Sequence, residues 1–395
     1  MDIIILADFC RDLDGKGNNR FEYLAQLLSA EHDVEILTSD FNHGRKTHFE
    51  ETPAGFKYKI TMLHECGYSK NVCLRRFYSH FMWGKNVKKY LKKRKKPDVI
   101  YAAVPTLTAP YEAARYCKKN GIKFIVDIQD LWPEAFQMVF NVPLVSDVIF
   151  APLRWLANGI YNRADEVFAV SQTYIDRASK VSKTALKASP VFLGTELERF
   201  DAQLAENRVE RKDSDILIGY VGTLGHSYDI ERVIDALEML CDKGYSNLKF
   251  LVMGDGPLRE RFESYARDKK VSVEFTGALE YPKMVGRLCA CDIVVNPIAK
   301  GSAGSIINKH GDYAASGIAV INSQESPEYR ALVEEYNMGL SCECGNAEDM
   351  AKKLRMLIDD PDLRLIMGKN ARRCAEEKFD RKKTYGRIAE VVSGK

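Results

Sequence analysis

Short β-branched or aromatic runs alternate with helical stretches along almost the whole chain, and that alternation leaves few folds open. DIIILAD (2–8) precedes a glycine-containing loop and the helical NRFEYLAQLLSAE (19–31), in which Phe21, Leu24, Leu27 and Leu28 share a face. DVEILTS (33–39), DVIYAAV (98–104), KFIVDIQD (123–130) and EVFAVS (166–171) follow, with helical sequence between them. Strands each returned by a helix build a parallel sheet covered on both faces. The segment 201–214, DAQLAENRVERKDS, is polar with no apolar face and reads as a linker or surface helix. The pattern then restarts with ILIGYVG (216–222), LKFLVMGDG (248–256), VEFTG (273–277), DIVVNP (292–297) and IAVIN (318–322). Helices are expected between them at 229–242, 257–269, 281–290 and 308–316.

Two such units in succession imply an α/β chain with two Rossmann-like, doubly wound domains facing across a cleft. Ligands are expected at the carboxyl ends of the strands. The expected boundaries are a first domain over 1–200, a linker over 201–214 and a second domain over 215–370. The last helical pattern, 361–394, is long enough to carry residues 371–395 back to the first domain. A length of 395 residues suits two domains.

The composition, 46% hydrophobic and 29% charged, is that of a globular protein, and a net charge of +3 names no partner. The local distribution is more telling: residues 70–96 hold eleven Lys/Arg and no acid. Leu74, Phe77, Tyr78, Phe81 and Met82 fall on one helical stripe there, which reads as contact with an anionic membrane surface. A core-facing helix with a solvated basic face is the other reading. No single-strand-binding or groove-reading motif accompanies the charge, so nucleic acid is set aside. The ten cysteines include two C-x-C pairs but no C-x-x-C, so neither a zinc site nor a disulfide framework is expected. The N-terminal MDIIILADF lacks a basic n-region and reads as a strand rather than a signal peptide. No apolar run approaches the ~18 residues of a membrane span. The expected location is therefore cytoplasmic, peripheral on the inner face of the cell membrane.

Four loops carry candidate chemistry. In DLDGKGNNR (12–20), Gly15 and Gly17 let a ligand approach the backbone at a helix start. The third position of a G-x-G-x-x-G fingerprint is Arg20, which disfavours a dinucleotide-binding dehydrogenase. In YVGTLGHSYD (220–229), Gly222, Thr223 and Gly225 form a similar loop bearing His226 and Tyr228. In DIQDLWPEAF (127–136), Gln129, Asp130 and Trp132 follow a strand. Asp130 either caps the next helix or contacts hydroxyls. In SIINKHGDYAASG (305–317), Ser305, Ile306, Asn308 and Lys309 gather at a helix start suited to a pyrophosphate, with Asp312 one turn on for a ribose diol. An i, i+3 surface pair of Lys309 with Asp312 is the bland alternative.

Taken together, these stretches resemble glycosyltransferase family 4, the retaining, nucleotide-sugar-dependent class of the GT-B architecture. GKGNNRFEYLAQLLSAEHDVEILTS resembles the family's glycine loop, first helix and second strand. DLWPE (130–134) resembles its Asp-Leu-Trp-Pro turn, and ADEVFAVSQTY (164–174) its A-D-x-V-x-A-x-S strand. YVGTLG, GDGPLRERFE (254–263), ACDIVVNP (290–297) and NKHGDYAASGIAVI (308–321) follow in the family's order. The resemblance implies a donor held mainly by the second domain, an acceptor held mainly by the first, and no metal or other cofactor. Asp312 matches the second acid of the Glu-x7-Glu pattern, Lys309 lies where the donor pyrophosphate would sit, and Gly15 and Gly17 match the donor-closing loop.

Three positions depart from the pattern. The first acid falls at Gly304, the usual loop Arg and Lys fall at Thr223 and Tyr228, and the usual His before the Asp is Gln129. The implied catalytic groups are Lys309, Asp130 and His226, with Gln129 and Trp132 toward acceptor or sugar. Polysaccharide-assembly members share some of these departures, so they need not mean inactivity, and the basic amphipathic helix points to a glycan or polyprenyl-diphosphate-linked acceptor. The departures also motivate a different class, an inactive GT-B subunit that supports a partner transferase.

Overall fold

The computed structural model describes residues 1–10, 19–71, 73–139, 145–182, 185–211, 214–302 and 305–395. The chain divides into two compact units, Met1–Val191 with Tyr385–Lys395, and Phe192–Thr384.

The first unit is built on strands β1 (Asp2–Leu6), β2 (Asp33–Ser39), β5 (Lys59–Leu63), β6 (Val99–Val104), β7 (Lys123–Ile128), β8 (Glu166–Ala169) and β9 (Ala188–Pro190). A two-residue ribbon, β3 (Phe41–Asn42) with β4 (Thr47–His48), stands apart as an antiparallel pair. The seven form one sheet in the order β5-β2-β1-β6-β7-β8-β9. Every neighbouring pair in it is parallel. β1 and β6 are apolar and buried on both faces, as helices covering both sides of a sheet require.

The second unit repeats the plan with β10 (Ile216–Val221), β11 (Leu248–Met253), β12 (Val273–Gly277), β13 (Ile293–Asn296), β14 (Ala319–Asn322) and β15 (Gly339–Ser341). Their order is β12-β11-β10-β13-β14-β15, again all parallel. In both sheets the winding direction reverses beside the first strand, between β1 and β6 and between β10 and β13. Loops leaving those strands part from each other, which makes the natural ligand crevice of this topology.

Two expectations on organisation need correcting. The first unit ends at Val191 rather than 200, and the presumed linker contributes a helix, Leu197–Asn207, to the second unit. Leu197 and Phe200 anchor that helix in the second core beside Met284, Leu288 and Phe379. Its apolar positions lie mostly before residue 201, outside the stretch that reads as polar. The expected 361–394 helix is also broken. Pro361–Cys374 runs into a π-helical turn, Ala375–Phe379, then Arg381–Thr384 and Gly386–Ser393. The break falls where Thr195 N–H donates to Phe379 O (2.8 Å) and Thr195 pairs with Asp380.

The basic segment forms the helix Leu74–Lys93. Its inward face carries Arg76, Ser79, His80, Trp83, Gly84, Val87 and Leu91. Leu74, Tyr78 and Phe81 of the expected apolar stripe are exposed, at 87%, 56% and 46%. The helix is therefore apolar on two faces, and sequence periodicity alone finds only the outer one.

Candidate active site

In the second unit, β10 ends in Val221 and the chain turns at Gly222 with φ +148, a conformation few side chains adopt. A Cβ there would lie 2.9 Å from both Lys309 Nζ and Tyr220 Oη. Gly254, after β11, packs on the same turn, since its Cβ would sit 1.8 Å from Gly222 O. The loop is held in place by Tyr220 Oη donating to Thr223 O (2.9 Å), by Asp229 N–H donating to Pro297 O (3.0 Å), and by Tyr228 pairing with Ile298. It is thus stitched to the chain leaving β13.

The helix Asn308–Ala315 brings Lys309 against this turn. Lys309 Nζ lies 4.1 Å from the Tyr220 ring centre and 4.2 Å from that of Tyr228. It has no hydrogen-bond partner among the described residues, and the side chain is buried. Burial pushes its pKa well below the usual lysine value. A buried amine set against two ring faces, and charged when a counter-ion arrives, suits an anion. Tyr228 stands where the resemblance expects a loop lysine, so the cation reaches that place from another element.

Further residues of the same helix face elsewhere. Tyr313 Oη accepts from Val221 N–H (2.9 Å) and donates to Val295 O (3.1 Å), fixing the helix to β10 and β13. Asp312 is buried and accepts from Thr195 Oγ1 (2.8 Å) and Tyr281 Oη (2.7 Å), with its pKa raised by burial. Those contacts make it a clamp on the 192–195 segment. Ile306 is 1% exposed in the core, so its side chain is no donor ligand. Ser305 is buried, with its carbonyl accepting from Gln324 Nε2 (2.7 Å), whereas Asn308 is exposed at the helix start. Thr223 and His226 are exposed on the loop and Gly225 is half-buried. Gly15, Gly17 and Gly304 lie outside the described residues.

A buried amide–imidazole network under this site was not anticipated. Asn296 Nδ2 lies 3.1 Å from His310 Nε2 and donates to Asn322 Oδ1 (2.9 Å) and Gln324 Oε1 (3.2 Å). His310 stacks on Tyr329 at 3.5 Å. Asparagines closing two successive apolar strands, in DIVVNP and IAVINSQ, were the available signal.

In the first unit, Asp130 follows β7, takes a hydrogen bond from Leu131 N–H (2.9 Å) and lies 3.4 Å from Tyr174 Oη. Burial pushes its pKa up to about 6. Gln129 turns inward and donates to Asp127 Oδ2 (3.0 Å). Asp127 forms a fully buried two-pronged pair with Arg20, at 2.8 and 3.0 Å, and Arg20 also donates to Val191 O and Tyr385 Oη, both at 3.1 Å. Gln129 therefore supports a structural ion pair through its amide nitrogen. Trp132 is buried too, stacked on His80 (5.6 Å) with the Arg76 guanidinium over its ring (4.8 Å). A charged residue inside the apolar run FIVDI was the sequence signal for the Arg20–Asp127 pair.

Two family models match successive parts of the chain. Residues 17–182 match "Glycosyl transferase 4-like domain", and residues 202–374 match "Glycosyl transferases group 1". The chain is a GT-B glycosyltransferase of the family 4 type. This glycosyltransferase is 23% identical, over 89% of its length and 88% of the relative's, to a Campylobacter jejuni protein. That relative is described as an α-1,4-N-acetyl-D-galactosaminyltransferase acting on a diphosphoundecaprenol-linked glycan. It is also 23% identical, over 77% of its length and 75% of the relative's, to the putative colanic acid biosynthesis glycosyl transferase WcaI of Escherichia coli. The solved structure of Anabaena Alr3699/HepE in complex with UDP shares the fold, with a TM-score of 0.71, 18% identity and full coverage of both chains.

Proposed function

We propose that this glycosyltransferase moves a sugar from a nucleoside diphosphate sugar to a hydroxyl of a lipid-linked glycan during assembly of a bacterial surface polysaccharide. The observation that carries the donor half of this reading is Lys309, buried, unpaired and facing a side-chain-free turn. A diphosphate supplies the missing negative charge, and the Gly222 turn leaves it room. The acceptor half rests on the kind of relatives the chain has, which act on diphosphoundecaprenol-linked glycans or belong to colanic acid synthesis.

The reaction is front-face substitution with retention of configuration. The bond from the anomeric carbon to the diphosphate oxygen breaks as the acceptor oxygen bonds to the same face. The departing diphosphate oxygen takes the acceptor hydroxyl's proton, so no strong enzymic base and no metal ion is required. Lys309 counters the charge that gathers on the leaving diphosphate, a contact stronger in the transition state than in the ground state. Asp130, at the carboxyl end of β7, contacts acceptor hydroxyls.

Turnover of UDP-, GDP-, ADP- and TDP-sugars by wild type and Lys309→Ala tests this reading. The variant is expected to lose at least about tenfold in kcat/KM on the sugar used. Unchanged kcat/KM removes Lys309 from the site. Absence of turnover by the wild type on every donor favours the inactive-subunit alternative instead.

We further propose that the protein works on the inner membrane surface. Exposed Leu74, Tyr78 and Phe81 on one helix, and Val148, Ile149 and Trp155 on the helix Val145–Tyr161, offer apolar anchors. Exposed Lys85, Lys89, Lys92 and Lys93 supply charge, while Lys88 and Arg94 are taken up by Glu112 and Asp2. No helix among the described residues is long and apolar enough to cross a membrane. Replacing those four lysines by glutamate is expected to abolish sedimentation with anionic vesicles. A wild type that does not sediment contradicts the membrane reading.

A further inference from the structure

Beneath the carboxyl ends of β1, β2 and β6 lies a polar cluster that the transfer reaction does not use. Asp8 follows β1, Ser39 ends β2, Glu65 follows β5, and His80 comes from the inward face of the basic helix. Asp8, Glu65 and His80 are 4%, 1% and 3% exposed, so no sugar or phosphate reaches them. Each offers a ligand atom, and the three atoms lie within 4.8 Å of one another. His80 Nε2 is 3.9 Å from Glu65 Oε1. Asp8 Oδ2 is buried without a hydrogen-bond partner among the described residues, as is the neighbouring Thr106 Oγ1.

The charges around this cluster do not cancel. Asp8 and Glu65 bring two carboxyl groups to one buried volume, and burial, then the neighbouring Glu65, push the Asp8 pKa well above its ordinary value. Arg76 is the buried cation beside them, boxed by Phe9, Tyr68 and Trp132 and donating to Asn71 O (2.8 Å). Lys46, the next nearest, is half-buried and turned to Asn71 Oδ1 and the His43 carbonyl. Among the described residues neither carboxyl group forms a salt bridge with a lysine or arginine, and only a proton or a small divalent ion could balance the two together.

Glu65 is oriented as a ligating carboxylate is. Ser39 Oγ donates to its Oε2 (2.6 Å) and Ser79 Oγ to its Oε1 (2.7 Å), leaving lone pairs on both oxygens. Tyr68 Oη lies 3.5 Å from His80 Nε2 and is itself 2.5 Å from His43 Nδ1. A second cluster, Asp40 with His48 and His64, lies nearby but is more exposed and already satisfied. Its Asp40 accepts from Glu65 N–H and pairs with His64 Nδ1, and His48 Nε2 is bonded to Glu65 O.

We propose that Asp8, Glu65 and His80 bind a structural divalent transition-metal ion, zinc in the first instance, that locks the basic helix to the strand ends of the first unit. One imidazole nitrogen and two carboxylates form a donor set that zinc accepts, with manganese the next candidate. The ion is separate from the transfer chemistry, which stays metal-independent.

The test is metal content of the full chain, stripped with EDTA, reloaded with zinc or manganese and dialysed. Wild type and His64→Ala are expected to retain about one ion per chain. His80→Ala and Asp8→Asn are expected to hold it at least about tenfold more weakly, with unchanged far-UV circular dichroism. Stripping should lower the Tm of wild type and leave that of His80→Ala unmoved. Two results overturn the proposal. A wild type that retains no metal, with Asp8→Asn as stable as wild type or more so, replaces the ion with a shared proton. Metal lost only in His64→Ala assigns it to the exposed cluster.

Discussion

The two sheets end in opposite kinds of electrostatics. At the carboxyl ends of the first unit, one buried ion pair is closed inside the protein: Arg20 grips Asp127 with two hydrogen bonds. At the corresponding place in the second unit, Lys309 faces two tyrosine rings and no carboxylate. The same topology thus closes the Arg20–Asp127 pair on itself in one unit and leaves a buried amine without a counter-ion in the other. A buried group without its counter-charge is costly to keep, and its presence in a loop-lined crevice is the mark of a ligand site.

The sharpest way to break that contrast is to unbalance the matched side. Arg20→Ala leaves Asp127 buried and unpaired, and is expected to destabilise the first unit by ~3–5 kcal/mol. It also frees Tyr385, which the guanidinium holds at 3.1 Å. Denaturant unfolding followed by circular dichroism measures this. A loss under about 1 kcal/mol would mean that the pair is not the fixed point described here.

Asp130 lies between the two extremes and gives a smaller, pH-dependent effect. Its pKa is raised to about 6 by burial, so the folded protein favours the protonated acid. Stability is therefore lost as pH rises from the ordinary carboxylate range through about 6. Asp130→Asn removes that loss. It is expected to raise Tm by roughly 2–4 °C at pH 8, to leave it unchanged at pH 4, and to lower turnover. A Tm gain of equal size at both pH values would contradict the assigned cause.

The strand–helix alternation was legible wherever strands are buried, because buried parallel strands must be apolar on both faces and helices must cover them, but the edge strand β5 was missed. Nearly every strand named from the sequence recurs within two residues of its expected ends. Short edge strands such as β9 and β15, three residues each, were not visible, since three residues carry no period. The unit boundary was misread because Phe192, Leu197 and Phe200 precede the polar stretch that looked like a linker. Within the site, Lys309 and Gly222 were legible as a helix start and a glycine turn. The fold contacts of Asp312 and Gln129 were not, because a polar residue beside a motif can face the ligand or the fold. Only tertiary contacts with Thr195, Tyr281 and Asp127 separate those cases.

One titration bears most directly on the central contrast. Isothermal titration with UDP, GDP, ADP and TDP compares wild type with Lys309→Met in two buffers of different ionisation heat. Burial holds the free lysine toward its neutral form, and a bound diphosphate restores its charge. Wild type is therefore expected to take up a proton on binding its nucleotide. Lys309→Met should bind at least about tenfold more weakly without that uptake, yet melt at or above the wild-type temperature. Equal affinity in the two proteins, or a variant that melts well below wild type, would contradict the account.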